Sequence, residues 1–359
     1  MTDQIRADYE GPNVRGLIRG LRGGAEWIPA PVRGARAVVL LILDGLGWGQ
    51  VQARALPNLG TLEGGLITTV VPSTTPNALT SISTGLSPAE HGVIGYRLFI
   101  GSGVLNVLRW KLHGRGEPPD PASFQPRDAF DGDPVPVVNR AEFRDTKFSA
   151  VQLRGAEYHG WTSTTTLVEH CRRLVAGGRR FVYAYYDSLD VVAHVYGLRD
   201  EYFEREVAFC DRLVGDVLDA LPPDVALAVT ADHGHVHYDR RIEFTGQAHM
   251  IHVQSGEPRF RYLHAKRGAA GDLLQAVTDE HSSHSWVFSR EQVIDERLLG
   301  PRAPSSEIAR RIGDVVVAAR EAVGFTDPAN PGEARLLTGH GSLTPDEMLV
   351  PLLAGRGRA

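Results

Sequence analysis

Four short stretches of the chain place carboxylates and imidazoles at spacings that can hold a metal ion. In "DSLDVVAH" Asp190 and His194 are four residues apart, so on a helix both side chains project from one face and can share one ion. In "ADHGH" Asp232 and His233 are adjacent behind an apolar run, where a turn can aim both at one point. "LILDGLG" ends another apolar run in Asp44, and "LTGHGS" sets His340 between two glycines, whose backbone freedom lets the ring approach an ion closely. Singly, each stretch is better explained by an ordinary loop or helix. Together, Asp44, Asp190, His194, Asp232, His233 and His340 are three carboxylates and three imidazoles. That mixture suits zinc or another borderline divalent ion better than magnesium or calcium, which prefer all-oxygen shells. Six such ligands can serve two ions, with a hydroxyl beside them.

The hydroxyl comes from "VVPSTTPNALTSISTG", residues 70–85. Pro76 has its φ pre-set for a first helical position, so Thr75 is expected as the N-cap of a short helix that Gly85 stops. Capping alone accounts for this residue. The sharper alternative is a hydroxyl at a helix mouth, itself an anion site, that attacks a phosphate.

These side chains need elements that end at one place. "ARAVVLLILDGLG", "RRFVYAYYDSLD" and "DVALAVTADHGH" are each an apolar, β-branched run closed by an aspartate, at Asp44, at Asp187 or Asp190, and at Asp232. Between them lie helical patterns such as "LVEHCRRLVAGG" and "EYFEREVAFCDRLVGDVLDALPP". Strands alternating with helices predict an α/β fold, a mostly parallel central sheet sandwiched by helices, with ligands bound at the carboxyl ends of the strands. Two segments break the pattern. Residues at about 97–150, rich in Pro, Gly, Asp and Arg, read as an irregular cap, and those at about 240–335, where "IHVQSGEPRFRYLHA" alternates like a hairpin, read as a second insertion. Residues 1–35 form an N-terminal extension, and 36–359 are taken as one catalytic domain.

At 359 residues the chain can bury a large core, and 42% hydrophobic with 23% charged residues is ordinary for a globular protein. A formal net charge of -5 and the lack of any Lys/Arg stripe with interleaved aromatics give no basis for a stable nucleic-acid complex. No run reaches the roughly 18 apolar residues of a membrane span, and the first thirty residues lack a secretory apolar region. With only Cys171 and Cys210, both in helical patterns, a disulfide framework is not expected and a cytoplasmic location is.

"LILDGLG", "PSTTPNALTSISTGLSPAEHGVIGY", "DSLDVVAHVYG", "ADHGH" and "TGHGSLTPDEMLVPL" occur in the order and rough spacing of the alkaline phosphatase superfamily. They resemble its nucleotide pyrophosphatase/phosphodiesterase branch from about residue 36 onward, with the two insertions matching poorly. The resemblance implies a hydrolase of phosphodiester or pyrophosphate bonds acting on a small phosphate ester or nucleotide-like substrate. It implies one zinc held by Asp190, His194 and His340, and another held by Asp44, Asp232, His233 and the nucleophile. The family's spacing from Pro72 and to Gly85 makes that nucleophile Thr75, whereas alignment on "PN" would select Thr74.

One position departs from the branch. Its members usually carry an asparagine where "HGVIGY" has Tyr96, and a phenol donates one hydrogen bond where an amide donates two. Tyr96 therefore either replaces that contact to a phosphate oxygen or is core, while His91 is expected to pack behind the nucleophile helix. The implied mechanism is in-line attack by Thr75, a covalent phosphothreonine, and hydrolysis by water. The alternatives are a phosphomonoesterase, phosphonate hydrolase or mutase of the same superfamily, and, from a different class, a metal-binding protein without catalysis. Arg97 is the one cation beside the motifs available for the extra charge of a monoester.

Overall fold

Every residue of the run Ala37–Leu43 is buried, as are all six of Phe181–Tyr186 and all six of Val225–Thr230. Strands without polar alternation must be covered on both faces, and that fixes them at the middle of a sheet between helix layers. The computed structural model, which describes residues 3–359, places them there. The seven strands of the central sheet in chain order are β1 (Ala37–Leu43), β2 (Glu63–Thr68), β3 (Pro136–Arg140), β4 (Glu157–Trp161), β5 (Phe181–Tyr186), β6 (Val225–Thr230) and β7 (Leu349–Arg356). Their spatial order is β2-β7-β6-β1-β5-β3-β4. β1 runs parallel to both neighbours, in register Leu43↔Tyr186 with β5 and Ile42↔Thr230 with β6. β3 is parallel to β4 and β5, and β7 is antiparallel to β6 and β2. The carboxyl ends of β1, β5 and β6 thus lie side by side.

Helix α1 spans Thr75–Thr84, α2 spans Ser188–Tyr196 directly after β5, and α3 spans Glu201–Ala220. Helix α3 buries Phe203, Val207, Cys210, Leu213, Val214, Val217 and Leu218, a stripe at three- and four-residue spacing that packs it on the sheet. Cys171 and Cys210 are free and buried. The N-terminal segment also contributes to the main core through Val14, Leu17, Ile18, Leu21, Ile28 and Val32.

The segment 97–150 is more regular than its composition suggests. Its first part is a three-stranded antiparallel sheet of Arg97–Phe99, Gly103–Asn106 and Lys111–Gly114, and its last part supplies β3 to the central sheet. Strands of three to five residues between Pro- and Gly-rich turns are too short for their alternation to stand out. Residues 251–319 hold the hairpin seen in the sequence, Ile251–Glu257 with Phe260–Ala265, widened by Val315–Ala319 and Ser285–Ser289 into a four-stranded antiparallel sheet. That sheet has a core of its own around Leu263, Leu273, Val277, Val317 and Phe325. Among the described residues no helix is long and apolar enough to cross a membrane.

Candidate active site

Asp44 follows β1, Asp190 and His194 lie on α2 immediately after β5, and Asp232 and His233 follow β6, so three adjacent strands deliver five of the six expected ligands to one edge. His340 arrives separately. Thr338–Gly339 pairs antiparallel with Val236–His237, and Gly341 bridges to Ser73, so the His340 segment is laid across both the β6 exit and the approach to α1. Behind it, Arg259 grips Glu347 with two bonds of 2.8 and 2.9 Å, and Glu347 accepts from Ser342 N at 2.9 Å; Arg259 and Glu347 have no solvent exposure. A bidentate buried pair of this kind fixes the loop only while both partners are present.

The site side chains are tethered on one side and free on the other. Tyr185 donates its hydroxyl to Asp44 Oδ2, while Asp44 Oδ1 is buried without a partner. Asp232 Oδ1 accepts from Gly45 N and His233 N, both at 3.1 Å, while Oδ2 is buried and unpartnered. The imidazoles follow the same plan. Nδ1 of His233, His194 and His340 each lies 3.1 Å from a backbone carbonyl, of Gly234, Thr338 and Ser73 respectively. A carbonyl can only accept, so each Nδ1 carries the proton and each Nε2 presents a lone pair.

Those free atoms face one another. His233 Nε2 is 3.5 Å from Asp44 Oδ1, 3.5 Å from Asp232 Oδ2 and 3.0 Å from Thr75 Oγ1. His194 Nε2 is 3.3 Å from His340 Nε2 and 3.4 Å from Asp190 Oδ1, and His340 Nε2 is 3.8 Å from that oxygen. Ligands about 2.0–2.1 Å from a tetrahedral ion stand about 3.3 Å apart, so both groups have the spacing of a coordination shell. Lone pairs turned on lone pairs in a buried site are costly unless a cation lies among them. Burial, and after it the charges of Asp232 and Asp190, push the Asp44 carboxyl well above the usual carboxylate range. Burial, then the neighbouring histidines, push the His340 imidazole well below its ordinary value, and burial lowers His194 as well. Neutral rings leave three carboxylates uncompensated, and two divalent cations fit that deficit.

Thr75 differs from expectation in one respect. The residue at the cap position of α1 is Thr74, extended at φ -140° and ψ 148°, and Thr75 is the first helical residue with Pro76 behind it. A proline's missing N–H costs nothing anywhere in the first turn, so Pro76 does not single out Thr75 as the cap. Freed of capping, the Thr75 hydroxyl donates to His233 Nε2. Gly85 closes α1 at φ 69°, as its position suggested. His91 sits behind the helix, accepting from Val93 N at Nδ1 and donating from Nε2 to Ser81 Oγ at 2.9 Å.

The family-model comparison decides the assignment: the model for type I phosphodiesterase/nucleotide pyrophosphatase matches residues 38–165 and 151–343. The chain belongs to that family. Membership makes this phosphodiesterase-family protein a hydrolase of phosphodiester or pyrophosphate bonds, in a family that generally uses two divalent metal ions. Among solved structures, murine ectonucleotide pyrophosphatase/phosphodiesterase 5 superposes with a TM-score of 0.69 at 17% identity, over 90% of this chain and 88% of that one. The human protein of the same name gives 0.66 at 18%, over 90% and 88%. Phosphonoacetate hydrolase from Sinorhizobium meliloti 1021, in complex with phosphonoacetate, gives 0.65 at 18%, over 90% and 91%. At these identities the likeness is one of fold. No curated protein matches the sequence significantly.

The phosphodiesterase-family site has further features that the linear motifs hid. Asp187 is turned away from the cluster to Arg140, at 2.6 Å, leaving Asp190 as the inward carboxylate. Arg97 is buried against Asp327 at 2.7 Å and Glu333 at 3.5 Å and is not free to bind an anion. Tyr96 lines a cavity of about 430 Å³ together with Thr75, Asp190, His194 and His340. Its hydroxyl accepts from Asn106 Nδ2 at 2.6 Å, and its backbone N–H donates to Glu257 Oε2 at 2.8 Å. Asn106 is ten residues from Tyr96 in sequence and reaches it through the pairing Arg97↔Asn106, which no local motif reveals. Arg109 and Lys111 line the same cavity and, among the described residues, pair with no carboxylate. On the other side of Thr75 and Asp190 a second lobe of about 240 Å³ is walled by Leu79, Leu108, Phe143, Phe148, Tyr185 and Val191.

Proposed function

We propose that the protein cleaves a small phosphodiester or pyrophosphate with Thr75 as nucleophile. One divalent ion is held by Asp190, His194 and His340 and another by Asp44, Asp232, His233 and Thr75. The observation that carries this reading is the cluster of inward ligand atoms, with Asp44 Oδ1, Asp190 Oδ1 and Asp232 Oδ2 buried without a partner and His233 Nε2 at 3.0 Å from Thr75 Oγ1. The nitrogen-rich donor set favours zinc. Bound there, such ions supply Lewis-acid stabilisation of phosphoryl charge and ease deprotonation of a nearby hydroxyl.

The chain's own groups do the rest. Thr75 Oγ1 forms the new bond to phosphorus as the bond to the leaving oxygen breaks, and its proton passes to solvent. Water then attacks the phosphothreonine and releases phosphate or phosphomonoester, restoring the hydroxyl. The N-terminus of α1 favours negative charge at the mouth of the helix. Because Asn106 already donates to the Tyr96 oxygen, the phenolic proton is left to donate into the cavity, where it supports a non-bridging oxygen. Two lobes of different chemistry meeting at Thr75 suit a phosphorus carrying two substituents.

The test compares kcat/KM for bis(p-nitrophenyl) phosphate and p-nitrophenyl phosphate on zinc-loaded protein, with Thr75→Ala and Thr74→Ala alongside. The diester is expected to be preferred by about tenfold or more, Thr75→Ala to be inactive and Thr74→Ala to remain active. Monoester preference, or activity that tracks Thr74, would overturn the corresponding part. The unpaired Arg109 and Lys111 favour one second reading, a substrate with an additional anionic group such as a carboxyphosphonate. Phosphonoacetate in the same panel tests it.

A further inference from the structure

His235 is the second histidine of "ADHGH", and its side chain has no solvent exposure. It is built into the wall between the β1 and β6 exits. A Cβ on Gly45, which has φ +80°, would lie 2.6 Å from His235 Nε2, so the backbone beside it is kept bare where the ring edge enters. Nδ1 lies 3.2 Å from Thr338 Oγ1, and the Thr338 carbonyl anchors His194 Nδ1 at 3.1 Å, so one residue orients two rings. His235 Nε2 faces Asp190 Oδ1 at 2.9 Å, and neither of these buried atoms has another hydrogen-bond partner. In the tautomer that donates Nδ1–H to the threonine oxygen, Nε2 presents a lone pair to a carboxylate oxygen, an arrangement that calls for a cation between them, whereas the other tautomer donates Nε2–H to Asp190.

We infer that His235 is a fourth protein ligand of the ion position formed by Asp190, His194 and His340, an assignment that rests on the two-ion reading proposed for this site. Asp190, His194 and His235 form one of the groups whose ligand atoms lie within 4.8 Å of one another. The separations bear on the coordination number such an ion would have. Two ligands about 2.05 Å from one ion stand about 2.9 Å apart at an angle of about 90°, against about 3.3 Å at the tetrahedral angle. The short edge between His235 and Asp190 would suit an ion with more than four ligands. A catalytic tetrahedral zinc keeps three protein ligands and one open place. With His235 bound, four protein ligands and a substrate oxygen would make five, so this position would accept ions of higher coordination number more readily than a three-ligand site does.

The experiment uses the full chain freed of metal with a chelator and reloaded with Co²⁺, comparing wild type, His235→Ala and His235→Gln. Affinity and stoichiometry are read by competition with a chromophoric chelator, and coordination number from the visible absorption of the bound Co²⁺. Two ions are expected on the wild type, with one of the two weakened roughly tenfold or more in both variants. The visible band is expected to intensify in both variants as that ion falls toward four-coordination. Unchanged affinity and spectrum in the variants would refute the inference. So would recovery by His235→Gln, whose amide can still donate to Asp190, because His235 would then only position that carboxylate. A wild type that binds fewer than two ions would instead remove the two-ion reading itself. Glutamine preserves size and polarity in the buried position, so the result stands even where alanine perturbs the metal-free fold.

Discussion

Glu257 closes the floor of the cavity beneath Tyr96, and replacing it with glutamine gives a prediction whose size comes from its surroundings. The side chain is buried, Oε2 accepts from Tyr96 N at 2.8 Å, and Oε1 has no partner. Burial pushes its pKa up from 4.5 to about 8, against the smaller lowering effects of the Tyr96 N–H and of Arg261. Proton counting gives the sign. Below pH 4.5 the carboxyl is protonated in both the folded and the unfolded chain, and its stabilising contribution is complete. Between pH 4.5 and 8 the unfolded chain gives up the proton while the folded chain keeps it, so stability falls by about 1.4 kcal/mol per pH unit. The loss is about 3 kcal/mol by pH 7 and about 4 kcal/mol by pH 8, and it levels off at about 5 kcal/mol above that. Glutamine keeps the size and an acceptor for Tyr96 N but does not titrate. The difference in unfolding free energy, Glu257→Gln minus wild type, should therefore rise by about 3 kcal/mol from pH 4.5 to pH 7. Urea denaturation of both proteins at pH 4.5, 6, 7 and 8, each in chelator, measures it, and contributions common to the two proteins cancel in the difference. A difference that stays flat to within about 0.5 kcal/mol would refute the reasoning, because Glu257 would then ionise as an exposed carboxylate does.

Two further changes probe the supports of the site. Tyr96→Phe removes the hydroxyl held by Asn106 and should lower kcat/KM for the diester roughly 10–100-fold, the worth of one hydrogen bond to a charged oxygen, with metal content and Tm unchanged; an effect under about twofold would return Tyr96 to the core. Arg259→Met strands the buried Glu347 carboxylate behind the His340 loop and should cost about 3–5 kcal/mol in urea denaturation, whereas a loss below about 1 kcal/mol would mean that the pair is not what holds the loop.

Much of the fold was legible because its central strands carry a strong pattern. Ala37–Leu43, Phe181–Tyr186 and Val225–Thr230 are apolar at nearly every position and end at acidic residues, so their place in a covered parallel sheet follows from the chain itself. β3 was not legible, because a five-residue strand inside a Pro- and Gly-rich segment carries too few residues for a period to emerge. The same limit affected α1: a proline tolerated throughout the first turn leaves the cap ambiguous by one residue, and contacts placed it at Thr74. Arg97 read as a free cation beside the motifs, since its burial partners Asp327 and Glu333 lie more than two hundred residues away.

The sequence by itself determined the donor inventory, the order of the strands along the chain and the helical spacing of Asp190 and His194, because these depend only on residue type and local period. The tertiary structure decided which oxygen of each carboxylate is tied back and which is free. It also decided which imidazole nitrogen carries the proton, and that Asn106 and His235 reach Tyr96 and Asp190. Those are properties of distance between segments far apart in the chain, fixed by strand register and loop packing, and no local pattern carries them.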